Sequence, residues 1–280
     1  MMAMRVVTAA GLTVALALTA AGCKRPQEEA AGTPKGPVAA APSNPAEAAA
    51  PLTFSEKTDH ASVDLKLPEA VKTQPDLHAR LYSEGVKNLR AFTEGAAGER
   101  AELEGQGLEI PPYSREIEWN LGADTSKLMS LWKVESEYTG GAHGNANFGS
   151  VLWDKALKRM VGANVLFKPG ADKVMDKALC DALMAEKKAR LKEYYSPPGQ
   201  DWTCPKWREI SFALAPSTAP GKAGGLLFLL PPYRVGAYAE GTYEVTVPVG
   251  VFAGYLTPAY ADEFAGAPQP RPTEGADAAG

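Results

Sequence analysis

Glu116-Ile117-Glu118-Trp119-Asn120-Leu121 alternates polar and large apolar side chains residue by residue, and Trp132-Lys133-Val134-Glu135-Ser136-Glu137-Tyr138 repeats the pattern after a short gap. A period of two marks a strand with one wet and one buried face, so Ile117, Trp119 and Leu121 are expected in a core. The short connection predicts that the two strands are antiparallel neighbours. Glu116, Glu118, Glu135 and Glu137 then form the solvated side, and a glycosidase pair among them would require a cleft. A third run, Phe148 to Trp153, follows a glycine-rich turn.

Upstream, Ser62-Val63-Asp64-Leu65-Lys66-Leu67 alternates in the same way and leads into a helix opened by Thr73, Pro75 and Asp76, where Thr73 and Asp76 have capping-box spacing. Leu77, Leu81, Leu89 and Phe92 continue it at helical period. Glycines and acidic residues between Gly95 and Gly107 read as a connecting segment. Downstream, residues 171–195 predict a second helix with Met175, Leu179 and Leu183 four residues apart. Lys187, Lys188, Arg190 and Lys192 gather at its carboxyl end, as a solvated face complementing the helix dipole. Strands resume over 210–214, 226–230 and 243–247. The whole predicts an α+β fold with antiparallel sheets and two main helices.

The ends read differently. Val6 to Ala21, an apolar run behind Arg5, has the length and small-residue finish of a cleaved export signal rather than a spanning helix. The run ends Ala21-Gly22-Cys23, and a cysteine at that place resembles the lipobox of bacterial lipoproteins, with Ala20 where Leu is usual. The resemblance implies acylation of Cys23 and a lipid-anchored, exported protein. Lys24 in place of Asp favours the outer membrane, facing the periplasm. Each buried methylene of such an anchor contributes roughly 0.8 kcal/mol. Residues 23–51, rich in Ala and Pro, lack the large side chains that would offset the cost of ordering and read as a disordered tether, as does a tail over 265–280.

Without residues 1–22 the chain carries 28 Lys plus Arg against 33 Asp plus Glu, and no basic stripe. Nucleic acid is therefore excluded as a partner, since it needs clustered cations. The two cysteines left, Cys180 and Cys204, are an even pair in an oxidising compartment and predict a structural disulfide. Zinc there would need two more ligands, and His60, His78 and His143 are all distant in sequence. No phosphate loop, zinc helix, nucleophile elbow or dinucleotide fingerprint occurs, so no metal or cofactor is expected.

Two stretches carry the remaining signal. Tyr138-Thr139-Gly140-Gly141-Ala142-His143-Gly144-Asn145 places three glycines in a turn. Pro232-Tyr233-Arg234-Val235-Gly236-Ala237-Tyr238-Ala239-Glu240-Gly241 joins a rigid turn to a glycine exit. With Asn164-Val165-Leu166-Phe167 and Val245-Thr246-Val247-Pro248 they resemble, in order, family 3298 of the domains of unknown function, preceded by a region similar to family 4163. The resemblance implies a 4163-like subdomain over 52–145 and a 3298-like domain over 146–264. Its relatives include the outer region of RsiV-type anti-sigma factors, a lysozyme receptor, and a module joined to PdaC-type deacetylases.

The expectation is a non-catalytic envelope module that binds a lysozyme-like protein or peptidoglycan, with Tyr138, Gly140, Gly141, His143, Gly144, Tyr233, Gly236 and Tyr238 as motif residues. Packing in the core is the simpler role for Tyr233, Tyr238 and Tyr243, and lining a sugar groove is the alternative. His143 as a general base would need an orienting acid and a nucleophile. A wall-glycan hydrolase using carboxylates or His143, and a purely structural envelope protein, are the other readings.

Overall fold

The computed structural model describes residues 51–107 and 111–270. Cys23 and the signal and tether expected ahead of residue 51 lie outside them. The alternating stretches form the centre of a six-stranded sheet, ordered β1 (Thr53–Lys57), β2 (Ala61–Lys66), β3 (Tyr113–Asp124), β4 (Leu128–Tyr138), β5 (Asn145–Asp154) and β6 (Arg159–Met160). β3 and β4 pair antiparallel, with Ile117 opposite Glu135 and Trp119 opposite Lys133. Ile117 and Trp119 are buried as expected, whereas Leu121 is 40% exposed. Leu121 still pairs in register, opposite Leu131, and the register shifts only between it and Asp124, so it keeps the face of Ile117 and Trp119 without their cover.

β2 and β3 are parallel, unlike the other pairs. Parallel neighbours need a long crossover, here the helix α1 (Pro75–Glu104). Leu77, Leu81 and Leu89 of α1 pack on Val63, Leu65, Ile117, Met129 and Leu131 of the sheet. Two details differ from the sequence reading. The Thr73 hydroxyl donates to the Ala70 carbonyl and caps nothing, and Gln74 is the N-cap with Pro75 following. The helix also runs through Gly95 and Gly98, which were expected in a connecting segment. Each glycine costs about 1 kcal/mol in a helix, but both face solvent while Ala96 packs beside Ala61 and Tyr113 and Arg100 donates to the Pro111 carbonyl at 2.7 Å. Tertiary contact overrides propensity there.

Three further strands, β7 (Ser211–Pro216), β8 (Ala223–Leu230) and β9 (Tyr243–Pro248), form a second antiparallel sheet. Every residue of the central strand β8 is buried, because both of its faces are covered. Leu227 and Leu229 meet Trp132 and Phe148 of the first sheet. Leu226, Phe228 and Leu230 share a core with Met175, Leu179 and Leu183 of a long helix. Counting the short helices α2 (Ala163–Leu166) and α4 (Val249–Phe252), that helix is α3 (Asp172–Leu191). The layers run helix, sheet, sheet, helix.

The expected disulfide joins Cys180 of α3 to Cys204, with Cα atoms 5.3 Å apart. The boundary expected between residues 145 and 146 falls inside β5, which pairs with β4 along its length. Of the tail expected over 265–280, residues 271–280 lie outside the described residues, and the part that is described is ordered by hydrogen bonds. Residues 265–270 lie against β7 and β8, the Ala265 amide donating to the Ala223 carbonyl at 3.1 Å and the Gln269 amide to that of Pro216 at 2.9 Å. Just before them, Glu263 is 1% exposed and accepts from the Thr125 hydroxyl at 2.6 Å, the Ser126 hydroxyl at 2.8 Å and the Lys127 amide at 2.8 Å. This carboxylate ties the chain end to the β3–β4 turn.

Candidate functional site

The turn between β4 and β5 is built by its glycines. Gly140 and Gly141 have φ of +89° and +97°, a region that L side chains rarely adopt, so the chain reverses where the motif places them. The Tyr138 hydroxyl donates to the Gly141 carbonyl at 3.2 Å and braces the turn. His143 projects from it, exposed, with Nδ1 3.0 Å from the Gly144 carbonyl oxygen.

Residues 231–241 cross to meet this turn. Tyr238 lays its ring on the His143 imidazole, with centroids 3.7 Å apart and planes 17° from parallel, and its hydroxyl donates to the Gly144 carbonyl at 2.8 Å. Tyr233 stands beside them, its ring centroid 5.4 Å from that of Tyr238. It is 62% exposed and has φ of +67°, which strains a non-glycine residue. Of the three tyrosines only Tyr243 packs in the core, at 1% exposure.

What holds this loop lies beneath it. The Lys187 ammonium, expected on a solvated face, is 1% exposed: it donates to the Val235 carbonyl at 2.8 Å and pairs with the Glu240 carboxylate. Glu240 also accepts from the Tyr243 hydroxyl at 2.5 Å. Burial pushes the Glu240 carboxyl up, but the bonds from Lys187, Tyr243 and the Ala237 amide outweigh it, so it stays below the usual range. Burial and the Glu240 charge together push the Tyr243 phenol up. The rings of Trp202 and Tyr243 lie 5.0 and 4.9 Å from the ammonium and complete its cage. Gly236 is required by this arrangement, since a Cβ there would fall 2.1 Å from Glu240 Oε1. The sequence carried a signal for Lys187 that was overlooked: it continues the four-residue stripe of Met175, Leu179 and Leu183.

Between turn and loop lies a groove of about 510 Å³. Its floor is the face of the large sheet that the small sheet leaves uncovered, and the strand registers lay it out as a grid. Ser62, Ser114 and Tyr138 form one row across β2, β3 and β4, and Asp64, Glu116 and Ser136 form the next. Pro232 and Tyr238 wall one side. The groove thus joins both motif stretches with residues that sequence reasoning had assigned to a wet face or not singled out. The four strand glutamates separate: Glu118 pairs with Lys66 at 2.6 Å, Glu135 with Lys133 at 2.5 Å and Glu137 with Arg115, while Glu116 stands in no ion pair among the described residues; Glu116 and Glu137 both line the groove. Cys180 and Cys204 lie in the α3 layer, apart from it. Among the described residues, no group of three or more His, Cys, Asp or Glu side chains is placed to hold a metal ion, and no helix is long and apolar enough to cross a membrane.

Comparison with known proteins places both halves of this groove. The family model described as Deacetylase PdaC matches residues 54–146, and that described as Protein of unknown function (DUF3298) matches residues 164–250. No curated protein matches. Among solved structures, a DUF3298 family member from Bacteroides fragilis NCTC 9343 aligns with a TM-score of 0.52 at 17% identity, over 75% of this chain and 96% of that one, a likeness of fold. A DUF3298 family protein from Pseudomonas aeruginosa PAO1 gives a TM-score of 0.48 at 20% identity, over 77% of this chain and 98% of that one.

Proposed function

Since the chain carries a DUF3298 domain over residues 164–250, with a PdaC-type region ahead of it, we propose that it is an exported, lipid-anchored envelope protein whose module binds a partner and performs no chemistry. The observation that carries this reading is the convergence of the two motif stretches, 138–145 and 232–241, on one open groove. A fold that commits a buried Lys187–Glu240 pair and a strained Tyr233 to one loop supports that loop as a contact surface. The anchor rests on Cys23 behind its signal-like run. The partner is a lysozyme-like protein or peptidoglycan, met from the outer membrane on its periplasmic side.

A hydrolase reading draws less support. Three of the four strand glutamates are engaged with cations, and His143 is stacked on Tyr238. The test is retention of purified lysozyme or peptidoglycan sacculi by the immobilised chain, together with mass spectrometry of the native amino terminus. Retention of neither at micromolar concentration removes the partner, and an unmodified Met1 removes the anchor.

A further inference from the structure

We infer that the Cys180–Cys204 bridge is a redox clamp on the groove: the oxidised chain holds firm the loop that walls it, and reduction lets that loop loosen. This rests on the partner-binding reading above and adds the regulation of the same site. The observation that carries it is a strap running back along α3. Asp172, Asp176, Cys180 and Lys187 are spaced by four, four and seven residues and so lie on one face of the helix. The chain after Tyr195 meets them in reverse order. The Trp202 ring lies 5.0 Å from the Lys187 ammonium, Cys204 is bonded to Cys180, the Trp207 amide donates to Asp176 at 2.9 Å, and Arg208 pairs with Asp172 at 2.6 Å.

The two ends of the strap are held differently. At its far end Lys206, Trp207 and Arg208 bond to the Asp176 and Asp172 carboxylates, ties that a reductant leaves intact. At its near end the Trp202 indole donates to the Ser196 carbonyl at 2.9 Å and the Gly199 amide to the Trp202 carbonyl at 2.8 Å, bonds that close the segment on itself. The bridge two residues on, with packing of the ring, keeps this end on α3. Under the ring the Lys187 ammonium bonds to the Val235 carbonyl and the Glu240 carboxylate. Glu240 accepts in turn from the Ala237 amide at 3.2 Å, and Tyr238, between those two residues, walls the groove. Charge-assisted bonds are strongest where water is excluded. Lifting Trp202 admits water to the ammonium, weakens both of its bonds and frees the wall.

The chemistry is thiol–disulfide exchange. As the bridge forms, the two thiols give up two protons and two electrons to a carrier disulfide, which leaves as a dithiol; a dithiol reductant reverses the step. Both sulfur-bearing residues are half-buried, which leaves the bond open to such reagents. A chain made in a reducing compartment and exported to an oxidising one therefore acquires its finished groove only after export.

The test compares amide hydrogen exchange of the full chain, oxidised and in dithiothreitol, at two sets of amides. The loop set is Ala237, Glu240 and Gly241, bonded to Glu240 Oε1 and to the Ala237 and Tyr238 carbonyls. The control set is Lys127 and Leu157, turn amides bonded to the Glu263 and Asp154 carboxylates. Reduction should speed exchange of the loop set by at least about fivefold and leave the control set unchanged. Trp202→Leu, with the bridge intact, should speed the loop set alone. Loop rates that stay unchanged on reduction, or that rise together with the control set, overturn the inference, as do native loop rates in Trp202→Leu. The partner reading fails separately, since a chain that retains neither lysozyme nor sacculi can still show the redox-dependent loop.

Discussion

The ring of Tyr238 rests on the imidazole of His143 at 3.7 Å, and its hydroxyl donates to the carbonyl of the next residue, Gly144, so one side chain closes the groove against a turn from the other half of the chain. That hydroxyl bond and that stack are separable. Tyr238→Phe keeps the ring and should cost about 1 kcal/mol, whereas Tyr238→Ala should cost about 2–3 kcal/mol. Urea denaturation measures both, and equal losses would mean that the ring contact contributes nothing.

Lys187 and Glu240 bring two charges under the loop, one of them fully buried. Removing the lysine leaves a carboxylate with its partner gone, so Lys187→Met should destabilise by about 2–3 kcal/mol, below the range for a wholly buried pair because Glu240 retains some contact with water. The Lys187→Met, Glu240→Gln pair should recover part of that loss. A double-mutant cycle showing strict additivity would contradict the coupling.

Acid should release the carboxyl-terminal tie. Burial pushes the Glu263 carboxyl up, but the Thr125 hydroxyl, the Lys127 amide and the Ser126 hydroxyl outweigh it and hold it below its ordinary value of 4.5. A carboxyl depressed in the folded state contributes stability that is full above the unfolded pKa and disappears as pH falls through the folded one. The stability of the native chain should therefore fall below about pH 4.5 more steeply than that of Glu263→Gln. Parallel curves from pH 6 to pH 3 would show that Glu263 plays no part.

Asp154 and Tyr260 make a second tie of the same kind, at 2.6 Å. Burial, followed by the bond to Asp154, pushes the phenol up to about 12. Spectrophotometric titration should find two tyrosines, Tyr260 and Tyr243, ionising well above the rest. In Asp154→Asn only the Tyr260 component should move back towards 10, and the persistence of both late components would show that Asp154 does not hold the phenol.

The Cys180–Cys204 bridge closes a loop with a sequence separation of 24. Replacing both cysteines by serine should cost about 3 kcal/mol, and reducing agent should lower the stability of the native chain alone. Equal sensitivity of the variant to reductant would show that the bond is not the cause.

The alternation around Trp119 and the leucine stripe of α1 were legible because one buried face needs one period, whatever covers it. Lys187 was not, since a lysine on an apolar stripe is tolerable only when a distant carboxylate and carbonyl come to it. The reach of α1 past Gly95 was hidden for the same reason, its support coming from Tyr113 and Pro111 across the sheet. Leu121 keeps its register opposite Leu131 yet stands exposed, because alternation fixes the face of a residue and not what covers it.

By itself the sequence determined the fold class, the disulfide partners and the two motif stretches, because periodicity, an even cysteine pair and glycine-dependent turns are local properties. Only the tertiary structure decided that those stretches share a groove and that Asp64 stands beside Glu116 within it. Register across β2, β3 and β4 and the packing of one sheet on another depend on residues far apart in the chain, and no local pattern records which of them will meet.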